Sequence, residues 1–276
     1  MDVSIVITCW NGKELLKKNL PEVIQASQNP KNKIVEIIVV DDGSIDNSAE
    51  FLENAYPQVK VVRNEQNLGY GAACNSGVGR AKADLVAILN TDVVPKKDFL
   101  VPALTHFKDE KVFAVSFNES KYGPGKLVWK KGFLEIESTE VPQETSLTDW
   151  PNGGSSVFQK SVWQRLGGMD KLFLPFYFED IDLGIRSRQA GFKCLWEPRA
   201  KVEHKHESTI NPQNLKKYHF KRNIDLIKQR NHLLLTWRNL DSFKLFVSHL
   251  GSLLKRCLSH PKYLRVIFAA LVKVGQ

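Results

Sequence analysis

The sequence predicts an α/β domain: a mixed, mainly parallel central sheet flanked by helices, with a helical extension at its C-terminal end. Three observations lead there. Short apolar runs rich in β-branched residues alternate with helical patterns from Val3 to Phe107. The residues that follow each run are polar, as at the ligand-binding edge of a parallel sheet. The charge then divides: Lys205 to Gln276 hold 14 Lys or Arg against 3 Asp or Glu, while residues 1–204 hold 25 against 27. The formal net charge of +9 therefore resides in the tail, and the chain reads as a domain over 1–210 with a basic extension over 211–276.

Val3–Thr8 is the first strand, followed by Cys9-Trp10-Asn11-Gly12 and an amphipathic helix through Leu15, Leu16, Leu20, Val23 and Ile24. Ile34–Val40, Val59–Arg63 and Leu85–Leu89 are three more strands, trailed by helices over Asp46–Tyr56, Tyr70–Ala81 and Phe99–Phe107. Runs this apolar fit strands covered on both faces and joined by right-handed crossovers. Beyond them, Val112–Phe117, Lys126–Trp129 and Phe133–Ile136 predict an antiparallel extension of the sheet around a turn at Gly123–Gly125. A helix over Lys160–Leu166, a helix from Glu179 to near Gly191, and strand-like runs at Lys193–Trp196 and Ala200–His206 complete the domain. Asn214–Trp237, Ser242–Leu258 and Pro261–Val274 predict three tail helices.

An apolar share of 42% and a charged share of 25% suit an ordinary globular chain of 276 residues with ample core. Cys9, Cys74, Cys194 and Cys257 are scattered without a C-x-x-C pair, and no basic-then-apolar leader opens the chain. A reducing cytoplasm is the expected setting, with no transmembrane helix because no apolar run approaches about 20 residues.

The chemistry concentrates at the strand ends and in one acidic stretch. Phe176-Tyr177-Phe178 runs straight into Glu179, Asp180 and Asp182. Acids in the first turn of a helix complement its dipole, so capping alone would account for them. An aromatic wall would also desolvate a carboxylate and raise its proton affinity, as a general base working near neutral pH requires. Asp41 and Asp42, ahead of Gly43-Ser44, offer acceptors for a base N–H or a ribose hydroxyl, or else build a turn and cap. Asp92, after Asn90-Thr91, can reach a divalent cation bridging to phosphate, and His204 with His206 adds nitrogen donors suited to Mn or Mg. Gly153 and Gly154 lie in a bend whose backbone N–H groups can approach a phosphate or an acceptor hydroxyl, or simply turn the chain. Neither G-x-G-x-x-G after the first strand nor G-x-x-x-x-G-K-[ST] occurs, which excludes the common dinucleotide and P-loop motifs.

Taken in order, these motifs resemble the family 2 inverting glycosyltransferases of the GT-A fold, especially bacterial and archaeal transferases of polysaccharide or lipid-linked glycans. The resemblance covers about residues 3–206. It rests on Val3–Thr8 with Trp10-Asn11; Val39-Val40-Asp41-Asp42-Gly43-Ser44 with Asp46; Asn67-Leu68-Gly69 with Asn75 and Gly77; Leu89-Asn90-Thr91-Asp92; Gly153-Gly154; Leu166-Gly167-Gly168-Met169-Asp170; Glu179-Asp180-Ile181-Asp182-Leu183 with Arg186; and Val202-Glu203-His204. It implies that Thr8, Trp10, Asn11, Asp41, Asp42, Asn67, Gly69, Asn75, Asn90 and Thr91 serve the nucleotide. It further implies that Asp92 and His204 hold Mn or Mg, that Asp180 is the base with Glu179 as its substitute, and that Gly153 and Gly154 face acceptor or phosphate. Asn90 stands where many members carry Asp, which leaves fewer charged cation ligands.

The implied reaction moves a sugar from a nucleoside-diphosphate sugar, UDP or dTDP rather than GDP, to a hydroxyl of a glycan or lipid-linked acceptor. The alternative is a non-catalytic nucleotide-sugar-binding domain. The basic tail lacks any nucleic-acid-binding module, and its aromatics keep helical core spacing, so nucleic acid is not an expected partner. Its helices are amphipathic and basic. The first is expected to pack on the domain and the last two to lie on an anionic membrane surface, on the inner face of the membrane.

Overall fold

The computed structural model describes residues 1–205 and 223–275. His206 and the start of the first tail helix, both expected above, lie outside them. The central sheet holds β1 (Val3–Cys9), β2 (Ile34–Asp42), β3 (Lys60–Asn64), β4 (Leu85–Asn90), β5 (Val93–Pro95), β6 (Val112–Asn118), β9 (Ser146–Thr148), β10 (Ser155–Gln159) and β11 (Lys193–His204). Their order across the sheet is β3-β2-β1-β4-β10-β6-β11-β5, with β9 on β11.

Strand β1 shows why the sheet sits in the middle. Val3, Ile5 and Ile7 pack with Leu16, Leu20 and Val23 of α1 (Lys13–Ser27) in one core. Val6, pointing the other way, packs with Ala73, Cys74 and Val78 of α3 (Tyr70–Arg80) in a second core. Burial on both faces at period two is what a continuous apolar run permits, each fully buried side chain contributing about 1.5–3 kcal/mol. Helices α2 (Ser48–Ala55), α4 (Leu100–Leu104), α5 (Lys160–Arg165) and α6 (Glu179–Gln189) complete the two layers.

The expected helix over Asp46–Tyr56 begins two residues later, because Asp46 accepts the N–H groups of Lys13 and Ser48 and so stays outside it. The expected helix over Phe99–Phe107 becomes α4 and a 3-10 turn over Thr105–Lys108. Two departures shape the functional edge. Antiparallel β10 inserts between parallel β4 and β6, bringing the Gly153-Gly154 bend against the end of β4. The two strand-like runs near residue 200 form one strand, β11, which pairs parallel with β6, shifts register between Glu197 and Lys201, and then pairs antiparallel with β5. That second pairing sets His204 opposite Val93, next to Asp92.

The expected extension over Lys126–Ile136 does not join the central sheet. β7 (Gly125–Lys130) and β8 (Phe133–Ser138) form a separate two-stranded hairpin, since β6 already has a neighbour on each side. Phe133 and Leu134 instead bury in a third core with Phe173, Ile181 and Ile185 of the domain and Leu233, Leu234 and Leu235 of α7 (Ile224–Arg238). Asn231 of α7 fixes that junction by donating to the carbonyls of Phe173, Phe176 and Tyr177 at 2.6, 3.0 and 2.9 Å. The described part of the first tail helix, Ile224–Arg238, thus packs on the domain. Helices α8 (Phe243–Ser259) and α9 (Leu264–Val274) follow.

Candidate active site

At the carboxyl edge of the sheet, Thr8 is level with Val40 and Asn90, and Cys9 with Asp41. The nucleotide residues expected on β1, β2 and β4 therefore meet on one rim. Asp41 is buried, and its Oδ1 accepts the Ser44 N–H at 3.1 Å. Burial raises its proton affinity, and the Ser44 hydrogen bonds oppose that rise. Asn11 adopts a left-handed backbone with φ 50°. Its N–H donates to Ser44 Oγ and its Oδ1 accepts from Ile45 N–H, both at 2.8 Å, so it holds the loop beside Asp41. Trp10 is half-buried on the same rim.

Four expected nucleotide residues take other positions. Asp42 is engaged by the neighbouring loop: its carboxylate accepts from Asn64 Nδ2 at 2.7 Å, Leu68 N–H at 3.0 Å and Gly69 N–H at 2.9 Å. Gly69 has φ +95°, and a Cβ there would sit 2.5 Å from the Pro175 carbonyl oxygen, so its role is close packing of two loops. Asn75 accepts from Trp163 Nε1 and Met169 N–H and donates to the Met169 carbonyl, which leaves its amide holding the turn at Gly167-Gly168. Asn67 lies exposed on the loop that Asp42 holds.

The acidic stretch sends its three carboxylates in three directions. Asp182 accepts from Arg186 Nε at 2.7 Å and faces Arg238 of α7 at 3.2 Å, a structural tie between domain and tail. Glu179 turns inward against Gly71 of α3, and its Oε2 has no hydrogen-bond partner among the described residues. Asp180 lines a cavity of about 220 Å3 with Glu119, Tyr122, Trp150 and Asn152, and its Oδ2 accepts the Gly153 N–H at 3.1 Å. Tyr70 steadies this corner by donating to the Gly153 carbonyl at 2.8 Å. The sequence leaves open which of the adjacent acids points inward; Asp180 is the one that lines this cavity.

Burial first, and the Asp180 charge second, push Glu179 up from 4.5 to about 8. Burial also raises Asp180, while the N–H groups of Gly153 and Ile181 restrain it. The pair titrates together: burial favours the protonated form of both acids, and at Glu179 the Asp180 charge adds to it. The folded chain thus keeps a proton that the unfolded chain releases. Its contribution to stability is whole below pH 4.5 and is lost as pH rises towards about 8. Urea midpoints should fall between pH 5 and pH 8 in the wild type, and Glu179→Gln should flatten that fall. An equal fall in both proteins would contradict a protonated Glu179.

A hydrogen-bonded relay links this acid to the other end of the rim. His204 Nε2 lies 3.3 Å from Asp92 Oδ1, and its Nδ1 lies 2.9 Å from Glu119 Oε2. Glu119 Oε1 in turn accepts from Asn152 Nδ2 at 2.7 Å and from Ser155 Oγ. Asn152 precedes Gly153, whose N–H reaches Asp180. Gly154 completes the bend against β4, where a Cβ would lie 2.2 Å from Asn90 Nδ2. Burial would lower His204, but the carboxylates of Asp92 and Glu119 overcome it and lift the ring to about 10.

These residues fit a divalent cation. Asp92 is buried, and its Oδ2 has no hydrogen-bond partner among the described residues. The carboxylate of Glu119 on Nδ1 fixes the ring so that Nε2 points at Asp92, the arrangement that supports a metal-binding histidine. No group of three or more His, Cys, Asp or Glu that could hold a metal occurs among the described residues. Glu119 escaped the sequence reading, although it follows β6 just as Asp92 follows β4.

A model of the family described as Glycosyl transferase family 2 matches residues 4–165. The chain is 28% identical over 217 residues to the Pre-mycofactocin glycosyltransferase of Mycobacterium tuberculosis, covering 76% of this chain and 44% of that protein. It is 26% identical over 209 residues to the Poly-beta-1,6-N-acetyl-D-glucosamine synthase of Staphylococcus aureus, covering 72% and 48%. The chain thus spans less than half the length of these relatives. Among solved structures, that of GalNAc-T7 with UDP, GalNAc and Mn2+ aligns with a TM-score of 0.68 at 18% identity, over 88% of this chain and 49% of that one. The mannosyltransferase PcManGT from Pyrobaculum calidifontis, in complex with GDP-Man and Mn2+, aligns with a TM-score of 0.60 at 17% identity, over 99% and 74%. Both share the α/β arrangement expected of the GT-A fold. Since the family match spans more than half of the sequence and takes in the β1, β2 and β4 rim, the chain belongs to glycosyl transferase family 2.

Proposed function

We propose that this domain transfers a sugar from a nucleoside-diphosphate sugar to a hydroxyl of a glycan or lipid-linked acceptor, by one displacement that inverts the anomeric centre. The observation that carries this reading is the cavity shared by Asp180 and Glu119, joined through His204 to Asp92. Asp180, charged while Glu179 holds the proton, takes the proton of the acceptor hydroxyl as its oxygen attacks in line. Glu119 is engaged by His204, Asn152 and Ser155, so Asp180 is the cavity carboxylate suited to act as base. A single base facing the acceptor suits inversion, whereas retention through a glycosyl-enzyme calls for a carboxylate nucleophile.

Asp92 and His204 would hold Mn or Mg, which when bound neutralises charge on the diphosphate. On the nucleotide side, Asp41 already accepts from the N–H and the hydroxyl of Ser44, and so has room for a single ring N–H. Uracil and thymine present one such N–H and guanine more, which favours a UDP- or dTDP-sugar. The relatives and structures named above, which include a UDP complex and a GDP-Man complex, support a nucleotide-sugar donor in general.

A panel of UDP-, dTDP- and GDP-sugars tests the proposal, each read by thermal shift and by release of nucleoside diphosphate with Mn present. A UDP- or dTDP-sugar should raise the melting temperature and be turned over in the presence of acceptor glycans. Equal protection by GDP-sugars would overturn the base assignment. Binding without turnover across a broad acceptor set would make the domain a nucleotide-sugar-binding module.

A further inference from the structure

Helices α8 and α9 carry exposed apolar residues outside the three cores of the described residues. On α8, Phe243, Phe246, Val247, Leu250, Leu254 and Leu258 recur at helical spacing along one stripe, from 47% to 81% exposed. On α9, Leu264, Phe268, Leu271 and Val272 form a second stripe, from 45% to 70% exposed. The inward faces already have their partners. His249 Nδ1 lies 2.8 Å from the Gly132 carbonyl and its Nε2 accepts from Trp237 Nε1 at 3.0 Å, while Arg256 stacks on Phe133 at 4.2 Å. Val266 and Ala270 of α9 are buried in the third core. The outward stripes are therefore not the packing faces of the helices.

The charge around the stripes has one sign. Residues 242–276 contain six Lys or Arg and no Asp or Glu. Lys244 and Lys255 fall on the flank of the α8 stripe and Arg265 on the flank of the α9 stripe, all three exposed. At the turn between the helices, Arg256, His260, Lys262 and Arg265 line an open cavity of about 540 Å3, in which Asp225 is the one acid among the described residues. Among the described residues no helix is long and apolar enough to cross a membrane.

We infer that α8 and α9 form a docking surface for an anionic lipid bilayer, lying in its interface with both stripes among the acyl chains and the basic flanks at the headgroups. Apolar area and basic charge act together in such binding: a protein or second-copy interface needs only the stripes, whereas anionic lipid also uses the flanking cations. The surface acts independently of the donor chemistry proposed above. Its consequence for function is to hold the domain at the plane where a lipid-linked hydroxyl would be presented.

Sedimentation of the full chain with phosphatidylglycerol-containing vesicles, against pure phosphatidylcholine vesicles, tests the surface. The full chain should pellet with the anionic vesicles and bind the neutral ones at least about tenfold more weakly. Leu254→Glu combined with Phe268→Glu, both at exposed positions, should lower anionic-vesicle binding by about tenfold or more while the thermal melt stays unchanged. Wild-type protein left in the supernatant with anionic vesicles would overturn the proposal. So would a concentration-dependent dimer, seen by sedimentation equilibrium and abolished by the same pair of substitutions, that forms in place of vesicle binding.

Discussion

Replacing Asp180 by Asn is expected to lower sugar transfer by roughly 10²–10⁴-fold, the contribution of a positioned general base. Binding of the donor should stay within a few-fold of wild type. The substitution is nearly isosteric. The Asn carbonyl can still accept from Gly153 N–H, so the bend over β4 remains in place, and only the second acceptor, now facing Ile181 N–H, is lost. What disappears is the capacity to take a proton. Glu179→Gln provides the contrast: at neutral pH Glu179 already carries its proton, so the amide copies the natural state and kcat should change little. Single-turnover rates with saturating donor, alongside calorimetric donor affinity, separate the two residues. A slow Glu179→Gln with a normal Asp180→Asn would exchange their roles, and loss of donor binding in Asp180→Asn would place that residue with the nucleotide instead.

The same acidic stretch shows how far the sequence can be read. That acids follow an aromatic run is plain from the residues, and the helix they begin is where the pattern puts it. Which acid faces the cavity depends on the helix rotation that buries Ile181 and Ile185 in the third core, and that core includes α7, some 50 residues away. Strand ends were legible for a similar reason: apolar runs buried on both faces have abrupt polar exits, so Thr8, Asp41 and Asn90 could be aligned before their register was known. Asp42 and Asn75 could not be sorted from them. Their partners, Leu68 and Gly69 for one and Trp163 and Met169 for the other, lie in loops whose approach is set by tertiary packing. The hairpin was misplaced because period-two patterning reports a strand and not its neighbour, and both edges of β6 were already occupied.

Glu119 gives the second large effect, and one that activity alone would not isolate. Asp92→Asn removes the carboxylate proposed to hold the cation and should abolish the Mn-dependent part of nucleoside-diphosphate affinity. Glu119→Gln leaves both proposed cation donors, Asp92 and His204, in the chain but replaces the carboxylate on His204 Nδ1. A carboxylate partner fixes which ring nitrogen keeps its proton and makes the other a better donor, and losing such a partner costs about 10–100-fold in metal affinity. Mn titrated calorimetrically into the protein with nucleoside diphosphate should therefore weaken by that factor in Glu119→Gln, while affinity measured with chelator present stays unchanged. Binding a cation must also displace the proton held on Nε2, where Asp92 and Glu119 raise His204 to about 10. Mn affinity should accordingly rise with pH from 6 to 8, with protons released on binding. Affinity that ignores both pH and the Glu119 substitution would remove His204 from the cation site and leave Asp92 to hold it with phosphate alone.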